Sequence, residues 1–481
     1  MNMKRKLYMT VAAFVCAVSF SACSDWFDIS PKTDVKAEEL FETENGFLSS
    51  LAGIYVSMTE SQVYGSNLTF GMLDQLAQLY DLIPMGANDK SAVYNYDQTT
   101  SGGYNTKGKL ADTWLKSYNL IANANNLLKW LDMRGESVIA NPDTRNMMKG
   151  EALAIRAYIH FDLLRCWGPV NYKNNVEGRE KKCIPYRVVT DNSKQPLMKA
   201  SEVVEKVIAD LKAAKECLSY EKDLDLAENA NRRFRFNYHA VVATLARVYN
   251  YAGDKENALA CADEVIKNCG LELQNSNFKD PVLFKEMICG INMYKMEEAL
   301  SSQFGAGDKI TEQYYTTFNT MNMIFQTSGS ESDDMRAKTT AFVQNTDEQK
   351  SISKKYMDNT REAIPLIRLP EMYYIKSESS SLETGAAFLN LVRNKRGLSI
   401  STDVTFTSEE TRNEALSAEY RKEFYAEGQT FFFLKHIGFT GPLSYCPSIS
   451  LVKENFEFPL PDNEKEYGWT ADEEEGENVI E

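Results

Sequence analysis

HAVVATLARVYNYAGDKENALACADEVIKNCG, residues 239–270, reads as two amphipathic helices joined at Gly253-Asp254. Before the turn, Val242, Leu245, Ala246 and Tyr249 recur at helical spacing; after it, Ala258, Ala262 and Val265 do the same. Leu245 and Tyr249 are placed to face Ala258 and Ala262, small residues that let two helices approach closely. One such hairpin cannot bury its own apolar face, so the pattern requires other hairpins stacked on it.

The spacing is that of a tetratricopeptide repeat, a helical hairpin of about 34 residues. Partner hairpins are predicted at 145–166 with 201–218, split by a long insertion, and at 370–378 with 384–396. Further helices are expected at 237–252, 255–269 and 408–427, the last started by a capping box of Thr407 and Glu410. Upstream, Trp114, Tyr118, Ile121, Asn125, Leu128 and Leu131 define one face of a long helix. Asn125 lies inside that apolar seam and needs a partner there, because an unpaired buried amide costs about 1–3 kcal/mol. Polar, aromatic, glycine-bearing stretches at 84–108, 167–198 and 274–368 interrupt the helices, and long excursions of this kind commonly carry function. The fold class expected is therefore mainly α, a tetratricopeptide-like helical-hairpin repeat scaffold with long irregular insertions.

The 481 residues are 43% hydrophobic and 25% charged, enough to bury a large core. Residues 1–22 have the layout of a signal peptide: basic Lys4, Arg5 and Lys6, an apolar run from Leu7 to Phe20, then small Ser21-Ala22. Loss of those three basic residues takes the formal charge from −15 to −18, which disfavours nucleic acid as a partner. Seven cysteines remain beyond Cys16 and Cys23, an odd number without a C-x-x-C spacing, so neither a disulfide framework nor a zinc site is signalled. The three histidines, His160, His239 and His436, fall in or beside helices and are read as packing or surface residues rather than a metal cluster. Gly103 to Lys109 imitates a phosphate loop, but Leu110 stands where a hydroxyl must hold magnesium and no apolar strand precedes it. No cofactor and no metal are expected.

Several ordered motifs together resemble the SusD/RagB family of outer-membrane nutrient-binding lipoproteins. They are Trp114-x3-Tyr118-x2-Ile121-x3-Asn125; Glu151-Ala152-x3-Arg156-Ala157-x3-Phe161; the repeat at 239–270; Asp333-Asp334-Met335-Arg336; Arg368-Leu369-Pro370-Glu371; Asn390-x2-Arg393-x2-Arg396-Gly397; Arg421-x-Glu423-Phe424-x2-Glu427-Gly428; and Phe458-Pro459-Leu460-Pro461. The chain departs from the family pattern at Gln429, where arginine is usual, and at Phe433, where an aspartate usually precedes Leu434. Phe20-Ser21-Ala22-Cys23 resembles a loose lipobox, with Cys23 the residue to be acylated, and the acidic stretch after it resembles a surface-export signal of Bacteroidetes lipoproteins. The resemblance implies a tether at 23–35, a single domain at 36–470 and an acidic tail at 471–481, displayed on the cell surface by the outer membrane. It further implies a non-enzymatic protein that captures an oligosaccharide and delivers it to a SusC-like TonB-dependent transporter. A peptide-binding member of the same family and a surface glycoside hydrolase are the alternatives.

Sugar rings stack their C–H faces on aromatic side chains while Asn, Asp or Arg groups fix the hydroxyls. Two loops have that make-up. Asn88, Asp89, Tyr94, Tyr96, Asp97 and Tyr104 lie in the first; Asp308, Tyr314, Tyr315, Phe318 and Asn319 lie in the second. These are the candidate ligand-binding residues.

Overall fold

The computed structural model describes residues 38–82, 89–97, 105–191, 193–275, 279–305, 314–357 and 359–467. The signal segment, Cys23 with its tether, and the acidic tail lie outside them. Eleven helices of eight residues or more occur among the described residues: α1 (Glu44–Met58), α2 (Thr106–Val138), α3 (Pro142–Trp167), α4 (Ala200–Cys217), α5 (Tyr238–Ala252), α6 (Lys255–Asn268), α7 (Phe318–Phe325), α8 (Leu369–Ser379), α9 (Leu382–Lys395), α10 (Glu409–Glu423) and α11 (Gln429–Ile437). No described helix is long and apolar enough to cross a membrane.

The hairpin at 239–270 forms as its spacing predicts. Gly253 adopts the left-handed conformation that closes α5, and Asp254 caps α6 by accepting from the Asn257 N–H. Leu245, Tyr249, Ala258 and Ala262 are all buried. The pairs α3/α4 and α8/α9 flank it, while α1 and α2 extend the stack on the other side. The long helix α2 packs its Trp114 edge-on against Trp167 of α3, with ring centroids 5.0 Å apart. Asn125 donates to the Arg187 carbonyl at 3.1 Å and accepts from Arg156 at 2.9 Å, so the buried amide is satisfied.

Three features differ from the sequence expectation. The cap of α10 sits one residue later: Ser408 is extended and accepts from the Thr411 N–H, and Thr411 Oγ1 accepts from the Ser408 N–H. The expected helix 408–427 ends at Glu423, and a separate α11 follows Gly428. Short antiparallel ladders form in the insertions, β1 (Lys182–Ile184) with β2 (Met198–Lys199), β3 (Met287–Asn292) with β7 (Ala363–Arg368), and β6 (Lys350–Ser353) between β4 (Tyr315–Thr317) and β5 (Phe342–Asn345), and a further hairpin of β8 (Gly441–Leu443) with β9 (Cys446–Leu451) follows α11.

The arginines and carboxylates of the C-terminal motifs converge in one buried network. Glu423 accepts from Arg368 Nη1 at 2.7 Å, Arg396 Nη2 at 2.8 Å and Arg336 Nη1 at 3.1 Å. Arg396 also pairs with Glu286, Arg336 with Asp334 and Glu419, Arg393 with Glu331 and Glu419, and Arg368 with Glu427. Lys355 pairs with Glu427 and Lys422 with Glu331. Six cations thus face six carboxylates, which is how so many charges remain buried. A separate bidentate pair, Arg247 with Glu371 at 2.5 and 2.7 Å, ties α5 to the start of α8.

Burial alone would raise the Glu423 carboxyl, but Arg396, Arg368 and Arg336 hold it well below the usual carboxylate range. Glu419 is held low in the same way, by Arg336, Lys422 and Arg393 against its burial. Carboxylates depressed on folding stabilise above their unfolded pKa of about 4.3, and that contribution disappears as pH falls through the lower folded values. Glu423→Gln should therefore cost about 3–5 kcal/mol at neutral pH by leaving three guanidiniums short of a counter-charge, and the deficit relative to wild type should shrink in acid; thermal melts from pH 7 to pH 3 measure both. Gly150→Ala should also lower the melting temperature, although helix propensity alone favours alanine, because its Cβ would lie 2.7 Å from Leu218 Cγ.

Candidate functional site

Asp81 knits the two candidate loops together. It forms an ion pair with Lys90 of the first loop, and accepts from the Thr317 N–H at 2.6 Å and Thr320 Oγ1 at 3.1 Å in the second. Its own backbone N–H donates to the Tyr315 carbonyl at 2.9 Å. Burial would raise the Asp81 carboxyl, but Lys90 and the Thr317 N–H hold it below its ordinary value.

The candidate residues separate by what they touch. Tyr94 donates its hydroxyl to the Leu76 carbonyl at 2.6 Å, and Tyr96 donates to the Asn455 carbonyl at 2.6 Å while packing edge-on against Phe458. Tyr314 is buried and stacked on Tyr80, with centroids 4.8 Å apart. These three rings are taken up by contacts within the protein. Tyr315 is half-buried in β4 with Lys350 4.5 Å from its ring, Phe318 is half-buried at the start of α7, and Asp89, Asp97 and Asn319 are exposed. Asn88, Tyr104 and Asp308 lie outside the described residues.

Beside this face opens a groove of about 750 Å³ between α10, α11 and the β8–β9 hairpin, which the sequence reading did not anticipate. Helix α7 joins the two: Phe318 and Asn319 stand at its N-terminal end, and Gln326, just past its C-terminal end, lines the groove. From α10 come Glu410, Asn413, Glu414, Ser417 and Arg421, spaced so that one helical face meets the groove. Thr430 and Leu434 of α11 and Tyr445 of the hairpin complete its floor. Tyr445 is anchored by donating to the Ala77 carbonyl at 2.7 Å, next to the Leu76 carbonyl that holds Tyr94. The signal for this wall was present in Gly428 and Gly438 bracketing the apolar run Phe431-Phe432-Phe433-Leu434, which sits in a helix buried from Gln429 to His436.

Titratable groups with displaced pKa values lie largely within the packing of the molecule. Burial pushes His160 down to about 3; its Nδ1 lies 2.8 Å from the Arg156 carbonyl and its Nε2 accepts from the Arg187 N–H. His239 contacts the Leu224 carbonyl, and His436 meets Glu378 at 2.7 Å in an enclosed cluster with Lys173. All seven described cysteines are free thiols; Cys217 and Cys261 are half-buried and the other five buried. No group of three potential metal-ligating His, Cys, Asp or Glu side chains occurs among the described residues. Glu410 and Glu414 are the groove's carboxylates, and both stand in water at its rim, whereas a glycosidase acid sits in an apolar enclosure.

Residues 25–250 match a SusD-like family profile described as starch-binding associating with outer membrane, and residues 275–471 match the SusD/RagB profile of the SusD family. The chain belongs to the SusD/RagB family. A SusD-like protein of Bacteroides ovatus is 25% identical over 299 residues, a match that takes in 59% of this chain and 47% of that protein. The crystal structure of a SusD superfamily protein from Bacteroides thetaiotaomicron shares the fold with a TM-score of 0.69 at 20% identity, over 89% of this chain and 98% of that one. A SusD-like carbohydrate binding protein from Bacteroides vulgatus gives 0.66 at 18% identity, over 88% and 96%.

The departures from the SusD/RagB pattern have a structural account. Phe433, in place of the usual aspartate, stacks on Tyr420 with centroids 4.2 Å apart and planes 12° from parallel. Gln429 accepts from Arg165 Nη1 at 3.1 Å, and Arg165 also lies 3.7 Å over the Phe432 ring. Both substitutions are absorbed by packing behind the groove. Asp81→Asn should loosen both loops at once, costing about 1–3 kcal/mol and speeding amide exchange across 89–97 and 314–320. Because the Asp81 carboxyl is depressed on folding, its contribution is present at neutral pH and lost as acid protonates it.

Proposed function

We propose that this chain is a surface lipoprotein that holds a glycan in the groove between α10, α11 and the β8–β9 hairpin and passes it, chemically unchanged, to a SusC-like TonB-dependent transporter. The groove carries the reading: it is large enough for several sugar rings and is lined by the side-chain amides of Gln326 and Asn413 and by several hydroxyls, groups that fix sugar hydroxyls. Family membership and the family description as starch-binding support it.

Tyr315, Phe318 and Asn319 extend the binding face along α7, with Asp89 and Asp97 at its edge. Asn88, Tyr104 and Asp308 are proposed as further ligand-binding residues. Tyr94, Tyr96 and Tyr314 support that rim through their rings and hydroxyls. The stacked face of the hairpins is left to dock on the transporter, and the acylated Cys23 anchors the chain to the outer membrane through the 23–35 tether.

Isothermal titration against plant, host and microbial oligosaccharides, with product analysis of each mixture, tests the reading. Saturable binding without a new product is expected; turnover of any glycan would show a hydrolase, and saturation by peptides alone would show the peptide-binding alternative. For the anchor, Cys23→Ala should move the protein out of the membrane fraction, and its retention there would contradict lipidation at this residue.

A further inference from the structure

Among the motif arginines of the C-terminal third, Arg421 stands apart. Arg336, Arg368, Arg393 and Arg396 each face at least one carboxylate in the buried network. Arg421 is only 5% exposed, yet among the described residues it forms no ion pair. Its Nε donates to the Ile324 carbonyl at 3.0 Å and its guanidinium lies 5.2 Å from the centre of the Tyr445 ring, leaving both terminal nitrogens without a protein partner. Burial holds it below the ordinary arginine value, which still leaves it charged at neutral pH.

Two hydroxyls in the same groove are also unpartnered. Thr430 Oγ1 and Ser417 Oγ are buried and have no hydrogen-bond partner, and both residues line the groove with Arg421. Two buried hydroxyls without partners carry a desolvation cost that a bound acceptor would remove, and the terminal nitrogens of Arg421 have no protein acceptor beside them. All three groups can donate, and a planar fork with free terminal nitrogens matches a carboxylate. The groove's own carboxylates do not compete for that fork. Glu414 lies seven and Glu410 eleven residues from Arg421 along α10, about 10 and 16 Å by helical rise, at or beyond the screening length of about 8 Å at physiological salt.

We propose that the groove is an acidic-sugar site, in which the carboxylate of a hexuronate residue seats on the terminal nitrogens of Arg421 and accepts from Thr430 and Ser417. This deepens the glycan-binding reading and rests on it. Sugar is favoured over the carboxyl terminus of a peptide because the remaining lining offers side-chain amides and hydroxyls suited to ring hydroxyls, in a family described as starch-binding.

The test is calorimetric titration of the full folded chain with oligogalacturonides and with the same oligosaccharides after carboxyl reduction to neutral sugars. The acidic form should bind at least tenfold more tightly, with an advantage that shrinks as salt is raised. Arg421→Gln should abolish the advantage, so that the acidic and neutral forms bind with equal affinity. Thr430→Val, which keeps the shape of the side chain, should weaken the acidic form several-fold without altering the melting temperature by more than a degree or two, so the proposal is testable even where Arg421→Gln does not fold. Equal affinity for the two forms, or an advantage that survives both substitutions, would overturn the acidic-sugar site and leave the glycan-binding reading standing. Binding of neither form, with binding of free-carboxyl but not amidated peptides, would overturn both.

Discussion

Glu423 collects three guanidiniums, from Arg336, Arg368 and Arg396, and the architecture around the groove depends on that meeting. The three arginines arrive from a turn within the long insertion, from the end of β7 and from just after α9, segments as much as 60 residues apart in the chain. A buried charge left alone is far costlier than a surface one, so each segment is driven to the position where its charge is matched. The network ties the places where the insertions return to the helical stack, because a member left unpaired inside the molecule would be an uncompensated buried charge.

Helix α10 is where this constraint meets the ligand face. Leu416, Glu419 and Glu423 lie on a buried stripe that faces the core and the ion network, whereas Glu410, Glu414, Ser417 and Arg421 follow the same three-and-four spacing along a different stripe and line the groove. Fixing one stripe fixes the other. The groove wall is therefore rigid where it carries Arg421, and the opposing wall, α11, is held by Arg165 against Phe432 and by the Tyr420–Phe433 stack. Asp81 fixes the neighbouring loops at the other end of α7 on the same principle, with one carboxylate gathering donors from both.

Much of the helical scaffold was legible in the sequence because its signal is local. Leu245, Tyr249, Ala258 and Ala262 announce their hairpin within 18 residues, and Trp114 to Leu131 announces a helix face directly. The ion network was visible only as isolated arginine and glutamate motifs whose partners are set by tertiary contact. The groove was less legible still: Arg421 read as one more motif arginine, and its lack of an ion pair is a property of three-dimensional arrangement alone. The loop aromatics show the limit of composition as a guide. Tyr94, Tyr96 and Tyr314 occur in polar stretches, as ligand-stacking residues would, but Leu76, Asn455 and Tyr80 claim them from elsewhere in the chain.

The central claim is that the chain binds its glycan where α10, α11, the β8–β9 hairpin and the loop face at α7 come together. Hydrogen exchange of the full chain, with and without a saturating bound oligosaccharide, addresses this most directly. Slowed exchange confined to 314–326, 409–423, 429–437 and 441–451 is the expected footprint. Protection centred on the stacked hairpins α3 to α6, with the groove segments unchanged, would contradict it.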